Sequence, residues 1–293
     1  MALSRGLAKY NNHKMERLSE LFLKPTKYDL LFVGSSRTHT GIYPKVVDSI
    51  CRLNSYNAGV EGGNLLEFRI TLAAYLNTHP LPQYVVLTID LNSFDLKRKF
   101  FNYSQYYPFV KNKVIEQSLN ENGHNTAAIK ILPFLILTGY DDYTKSNAIK
   151  GLTGHVEIPP GDFQYKGYLS NSENQLTEIE EKVSPKTYQI TAEGVESLEQ
   201  IIRLCRQKNI KLIFAYAPEY KFGLQHQTLN PEQILNLIRE TASKNEIPYF
   251  RDDSLDLCNN PALFANTGHL NKQGAYDYSI ILAHEINEVR DGR

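Results

Sequence analysis

The sequence predicts an α/β protein built on a parallel sheet of about five strands. Three observations carry that expectation. Several apolar runs lack the polar alternation of a half-exposed strand, as strands buried on both faces do. Helical patterns fall between those runs, and hydroxyl, amide, glycine and histidine residues collect just after them.

Taken in order, "LLFV" at 30–33 is the first strand. "CRLNSYNAG" at 51–59 supplies the second and leads through "VEGG" into a helix where Leu65, Leu66, Ile70, Ala73, Ala74 and Leu76 share one face. "YVVLTIDLNSF" at 84–94 is the third strand, and "IKLIFAYAP" at 210–218 the fourth. Val195, Leu198, Ile201, Ile202 and Cys205 mark the helix before that fourth strand. Pro231 suits a helix first turn, with Ile234, Leu235 and Ile238 behind it. "IPYF" at 247–250 is the fifth strand, and a closing helix follows with Ala275, Tyr276, Ser279, Ile280, Ala283 and Ile286 turned inward. Residues 95–194 are irregular in pattern and rich in Tyr, Asn, Ser, Gly and Pro, which predicts an inserted lid or substrate surface. The chain 1–293 therefore reads as one domain containing that insertion.

Composition narrows the function classes. Of the 293 residues, 42% are hydrophobic and 22% charged, enough to bury a full core. Thirty-two basic and thirty-two acidic residues cancel, and no run of five like charges occurs, so a nucleic-acid partner is not expected. Cys51, Cys205 and Cys258 are far apart and odd in number, which predicts buried thiols and neither disulfides nor a metal site. No cofactor motif is present. The longest apolar run, "IKILPFLILTG" at 129–139, is interrupted by Pro133 and falls short of the roughly 20 residues of a membrane span. The chain as given is expected to be soluble.

In an open parallel sheet the ligand crevice forms beyond the carboxyl ends of the strands. Those ends carry "GSSR", "NAGVEGG" and "DLNSF", and "NTGHLNKQGA" precedes the last helix. A hydroxyl nucleophile needs a base to take its proton and donors for the oxyanion it creates, and residues of all these types stand at this edge. Other roles are open to the same residues. Serine is a favoured helix N-cap, asparagine a turn former, and His39 a rival base. Arg37 can pair with Asp90 or Glu61, or face an anionic group of a substrate. "FQYKGYLSNSEN" at 163–174, with Lys166 and Tyr168, mixes rings with polar groups as a sugar-binding wall does.

These four blocks, in this order, resemble the SGNH (GDSL-like) hydrolases, a family of esterases, lipases, deacetylases and O-acyltransferases. The resemblance implies a flavodoxin-like three-layer sandwich and needs no cofactor. In "VGSSRT" it places Ser36 as nucleophile, in "YNAGVEGG" Gly62 as an oxyanion-hole N–H, in "YVVLTIDLNSF" Asn92 as the side-chain donor, and in "NTGHLN" His269 as base. Two departures stand out. "DLNS" lacks the glycine usual in the third block, and Asn266 occupies the place of an aspartate three residues before the histidine. Either Ser36 and His269 act with Asn266, or Asp252 or Asp253 at the fifth strand's end supports His269. The implied substrate is a small ester or an acylated glycan, with acetyl the expected acyl group. "YDLLFVGSSRTHTGIYP" with "FANTGHLNKQGA" is similar to bacterial envelope proteins that work beside membrane-bound O-acyltransferases. That likeness makes such an acyltransferase an expected partner, and places the chain outside the cytoplasm if an N-terminal anchor has been trimmed. A non-catalytic carbohydrate-binding or scaffold protein that keeps the fold is the alternative.

Overall fold

A computed structural model describes residues 13–131, 142–153, 164–171 and 184–292. Most of the apolar run at 129–139 and the end of the aromatic and amide segment at 172–174 lie outside these residues. The central sheet contains β1 (Leu30–Val33), β2 (Ser55–Asn57), β3 (Tyr84–Thr88), β4 (Lys211–Tyr216) and β5 (Tyr249–Arg251). Its order is β2-β1-β3-β4-β5, and every neighbouring pair is parallel. This is the flavodoxin-like order, whose switch point between β1 and β3 opens a crevice at the carboxyl ends.

All four side chains of β1 are buried, which is why its sequence shows no alternation. Leu30 and Phe32 join one core cluster with Val47, Cys51, Leu282 and Ile286. Those partners come from two helices that pack together, Pro44–Cys51 and Lys272–Asp291. Successive strand residues point to opposite faces, so Leu31 and Val33 serve the other side. Proline at the first turn of Pro44–Cys51 pre-sets its φ, and Arg52 in the left-handed region ends it. On β4, the helix Ala192–Gln207 packs through Leu198, Ile201, Ile202 and Cys205, all buried.

Asn271 caps the helix Lys272–Asp291 by accepting from the N–H groups of Gln273 and Gly274, and Gly292 at φ 73° ends it. Its inward stripe runs through Ala275, Tyr278, Ser279, Leu282, Ala283 and Ile286. Tyr276, expected inside, is 45% exposed. A stripe continued through Tyr278 and Leu282 needs that small rotation, because only a 3.6-residue period keeps one face on the core.

The residues divide into two compact units. One comprises the described parts of Met1–Thr26, Ile70–Pro80 and Phe100–Gly161, and the other Lys27–Arg69, Leu81–Lys99 and Asp162–Arg293. The expected insertion at 95–194 is thus shared between them. Among its described residues in the first unit it contains the helices Lys113–Glu121, Thr126–Ile131 and Asp142–Leu152, where an irregular pattern was expected. Only Ile115, Ser118 and Leu119 of Lys113–Glu121 are buried, so polar residues hide its period. Phe22 meets Tyr106 at 6.3 Å and Phe109 at 5.2 Å between ring centroids, which forms the core of this unit. All three cysteines are buried free thiols.

Candidate active site

The site is built at the carboxyl ends of the strands, starting with the turn after β1. A Cβ on Gly34 would fall inside the hydroxyls of Thr88 and Thr38, which bond to each other, so only glycine lets β1 approach β3 here. The helix Ser36–Gly41 follows immediately. Ser35 is its N-cap and accepts from the Arg37 N–H at 3.1 Å, while its own hydroxyl donates to Asp90. With the cap supplied by Ser35, the Ser36 hydroxyl is left to meet His269, at 2.8 Å from Nε2. The two adjacent hydroxyls therefore do different work.

His269 sits on a hairpin, Phe264–Asn266 with His269–Leu270, just before the closing helix. Asn266 Oδ1 accepts the N–H groups of Gly268 and His269 at 3.0 Å each, and lies 2.9 Å from His269 Nδ1. An amide oxygen can only accept, so Nδ1 carries the proton and Nε2 presents its lone pair to Ser36. The carboxylates considered as alternatives are engaged elsewhere. Asp252 accepts from the Tyr278 hydroxyl at 2.9 Å, and Asp253 binds Arg251 at 2.9 Å. His39, the rival base, is buried within Ser36–Gly41, and the partner of Ser36 is His269.

Ser36, His269, Gly62 and Asn92 line one cavity of about 150 Å³. Gly62 holds φ at 63°, the left-handed region that favours glycine. Its loop is shaped by buried Asn57, which donates to the carbonyls of Thr38 and Ile42 at 2.7 Å and accepts from Gly59 N–H at 3.0 Å. Asn92 is presented by a tight turn in which Asp90 N–H donates to Ser93 Oγ at 2.9 Å and Ser93 N–H to Asp90 O at 3.0 Å. The side chain of Asn92 is exposed to the cavity. This turn forms without the glycine absent from "DLNS".

Beneath the dyad lies a buried ionic cluster. Arg37 Nη1 donates to Asp90 at 2.9 Å and to Glu219 at 2.5 Å, and Nη2 donates to the carbonyls of Ala217 at 2.5 Å and Pro218 at 3.0 Å. Both Nη groups are thus taken up by the protein, and Arg37 is also among the residues that line the cavity. Burial opposes its charge, and Glu219 and then Asp90 more than offset this, holding the guanidinium above its ordinary pKa. Tyr216 donates to Glu219 at 2.8 Å, yet burial still raises the Glu219 carboxyl. Burial, and next Arg37, lower the His269 pKa, while Asp90 and Glu61 pull it upward. The net lowering favours the neutral ring that a base must present.

The expected sugar wall is placed elsewhere. Lys166 binds Asp48 and Asn54 at 2.6 Å each, and Tyr168 is buried and stacked 4.8 Å from Tyr43, so neither lines this cavity. The cavity is closed instead by Tyr188, Gln227 and Thr228. Lys186 pairs with Thr228, Asn230 accepts from the Tyr188 N–H at 3.1 Å, and Gln227 donates to Thr267 at 2.6 Å. No periodicity marks these residues in sequence, and sequence reasoning missed them along with Glu219. Among the described residues, no group of three or more His, Cys, Asp or Glu side chains is placed to hold a metal ion.

The chain is similar to the crystal structure of a Bacteroides fragilis NCTC 9343 protein assigned as an acylhydrolase, at 14% identity over 94% of this chain and 97% of that one, with a TM-score of 0.42. It is also similar to a GDSL-like lipase from Bacteroides thetaiotaomicron VPI-5482, at 12% identity over 96% of this chain and 99% of that one, with a TM-score of 0.44. No protein-family model and no curated protein matches it.

Proposed function

We propose that the chain is a serine-dependent acyl-ester hydrolase of the SGNH type. The observation that carries this reading is the chain of hydrogen bonds from Ser36 Oγ to His269 Nε2, 2.8 Å, and from His269 Nδ1 to Asn266 Oδ1, 2.9 Å. Ser36 Oγ attacks the acyl carbonyl as His269 Nε2 takes its proton. The N–H groups of Gly62 and Ser36 and the Asn92 amide bind the oxyanion. Collapse breaks the ester C–O bond, and the imidazolium returns its proton to the leaving alcohol. Water, deprotonated by His269, then attacks the acyl-serine and releases the acid and free Ser36.

A cavity of about 150 Å³ suits a short acyl group, with acetyl the natural choice. The polar side chains of Tyr188, Gln227 and Thr228 suit an alcohol half rich in hydroxyls, which favours an acylated carbohydrate or envelope glycan. If a sugar hydroxyl replaces water, the same steps give an O-acyltransferase. A role beside a membrane-bound acyltransferase, outside the cytoplasm, rests on the wording of the two terminal motifs alone. Asn266, which adds no charge to the relay, is what favours the non-catalytic reading.

Hydrolysis of p-nitrophenyl acetate and p-nitrophenyl octanoate tests the proposal. Turnover of acetate well above octanoate, lost in Ser36→Ala, is expected. Activity that survives Ser36→Ala, or none in the native protein toward any acyl ester, overturns it.

A further inference from the structure

The segment expected to form a sugar wall lies away from the cavity, yet it touches the chain behind Ser36, Gly62 and His269. Within the sheet-bearing unit, Gln164–Tyr165 and Tyr168–Leu169 pair as a hairpin that turns at Lys166 and Gly167, with φ at 46° and 83°. Positive φ at both central residues is the tight turn whose twist matches a hairpin. A lysine resists that backbone, and its side-chain bonds offset the cost. Lys166 Nζ donates to Asp48 and Asn54, and Asp48 accepts the Ser55 N–H at 2.8 Å, which ties the hairpin to the start of β2.

Three contacts lead from this segment to the site. The second strand of the hairpin packs against the helix Ser36–Gly41, and Tyr165 and Tyr168 meet the ring of Tyr43, two residues past that helix, at 6.1 and 4.8 Å. Asn57, at the end of β2, donates its N–H to Lys166 O at 2.9 Å. Gly167 rests on the carbonyl of the same Asn57 so closely that a Cβ would fall inside its oxygen. Beyond the hairpin, Asn171 O accepts the N–H of Lys272 at 2.8 Å, three residues after His269.

Asn57 carries the constraint inward. Its side chain bonds the carbonyls of Thr38 and Ile42 on one side and Gly59 N–H on the other, and Val60 N–H donates to Gly34 O at 2.7 Å. The nucleophile turn and the loop reaching Gly62 are therefore joined at the residue that the hairpin grips.

We propose that residues 164–171 are a brace that sets the relative placement of Ser36, the Gly62 N–H and His269, with Gly167 fixing how deeply it seats against Asn57. The role is one of positioning, since Tyr165, Lys166, Gly167 and Tyr168 do not line the cavity. The inference deepens the esterase reading, on which its kinetic arm rests. Its exchange arm needs no turnover.

Two variants of the full chain test the proposal: Gly167→Ala, and Lys166→Met, which removes the Nζ bonds and keeps the backbone of the turn. With p-nitrophenyl acetate, kcat should fall by about tenfold or more in Gly167→Ala with KM little changed, since a misplacement of about 1 Å can cost on the order of 10²-fold. The fraction of chains that a fluorophosphonate labels at saturation should stay native, and Lys166→Met should show a smaller fall in kcat. Amide hydrogen exchange at Gly59 and Val60, followed by nuclear magnetic resonance, should speed in both variants while the amides of β4 keep their native rates. A folded Gly167→Ala protein with native kcat, or with its loss confined to KM or to the fraction labelled, overturns the proposal. Exchange that is unchanged at the two amides, or that speeds equally in β4, also overturns it. Should Gly167→Ala not fold, Lys166→Met decides by the same criteria. If the native chain turns over no ester while exchange at Gly59 and Val60 responds to the variants, the esterase reading fails and the brace stands.

Discussion

Ser35 and Ser36 are adjacent hydroxyls with opposite fates, and the N-cap bond separates them. Ser35 accepts from the Arg37 N–H and donates to Asp90, so it belongs to the frame, whereas Ser36 bonds to His269. Ser36→Ala should abolish ester hydrolysis and leave the melting temperature nearly unchanged. Ser35→Ala should retain activity while losing about 1 kcal/mol of stability with its cap, measured by urea unfolding. Asn92 is exposed to the cavity, so Asn92→Ala should reduce kcat on the order of 10² to 10³ without a shift in thermal unfolding. Burial and Arg37 depress the His269 pKa, so the base stays neutral below the ordinary histidine value of about 6.5. The acid limb of the kcat/KM profile should accordingly lie on the acidic side of that value, and Asn266→Asp should move it toward higher pH.

At the scale of elements, the join between β5 and the closing helix contains a second charged feature. Asp252, one residue past β5, accepts from Tyr278, and it also faces Glu285 on the same helix. Burial raises both carboxyls above the ordinary range; Asp252 raises Glu285 further, while the hydrogen bonds of Tyr278 and Glu285 to Asp252 offset part of its own rise. The folded chain therefore keeps a proton that the unfolded chain releases above about pH 4.3. Its stabilising contribution is full at acid pH and is lost as pH rises through the raised folded values. The native melting temperature should thus fall between pH 5 and pH 8, and Glu285→Gln should flatten that fall. An unchanged slope in the variant would remove this pair as its cause. Elements were legible in sequence where one period ruled them. β1 declared itself because all four residues are buried, and Ser36, Asn266 and His269 because each lies within a few residues of a strand or helix end. The helix Lys113–Glu121 was hidden by its polar face. Glu219 could not be matched to Arg37 because 182 residues separate them and neither residue's neighbours hint at the pairing. Tyr188, Gln227 and Thr228 share that difficulty, since only tertiary folding brings them to the cavity.

For the sheet-bearing unit as a whole, the strand order explains why residues as distant as Ser36 and His269 form one site. β1 and β3 are adjacent at the switch point, so the turns carrying Ser36 and Asn92 open into the same crevice. The hairpin after β5 then lays His269 across it. Function at this site therefore depends on the sheet being intact, and loss of Ser36 reactivity in urea should coincide with loss of the far-ultraviolet circular dichroism of this unit. The central claim is that Ser36 is a nucleophile activated by His269. Its most direct test is mass-spectrometric mapping of the native chain after treatment with a fluorophosphonate. One adduct on Ser36, absent from both Ser36→Ala and His269→Ala, is the predicted result, and an unmodified Ser36 in the folded native protein would contradict it.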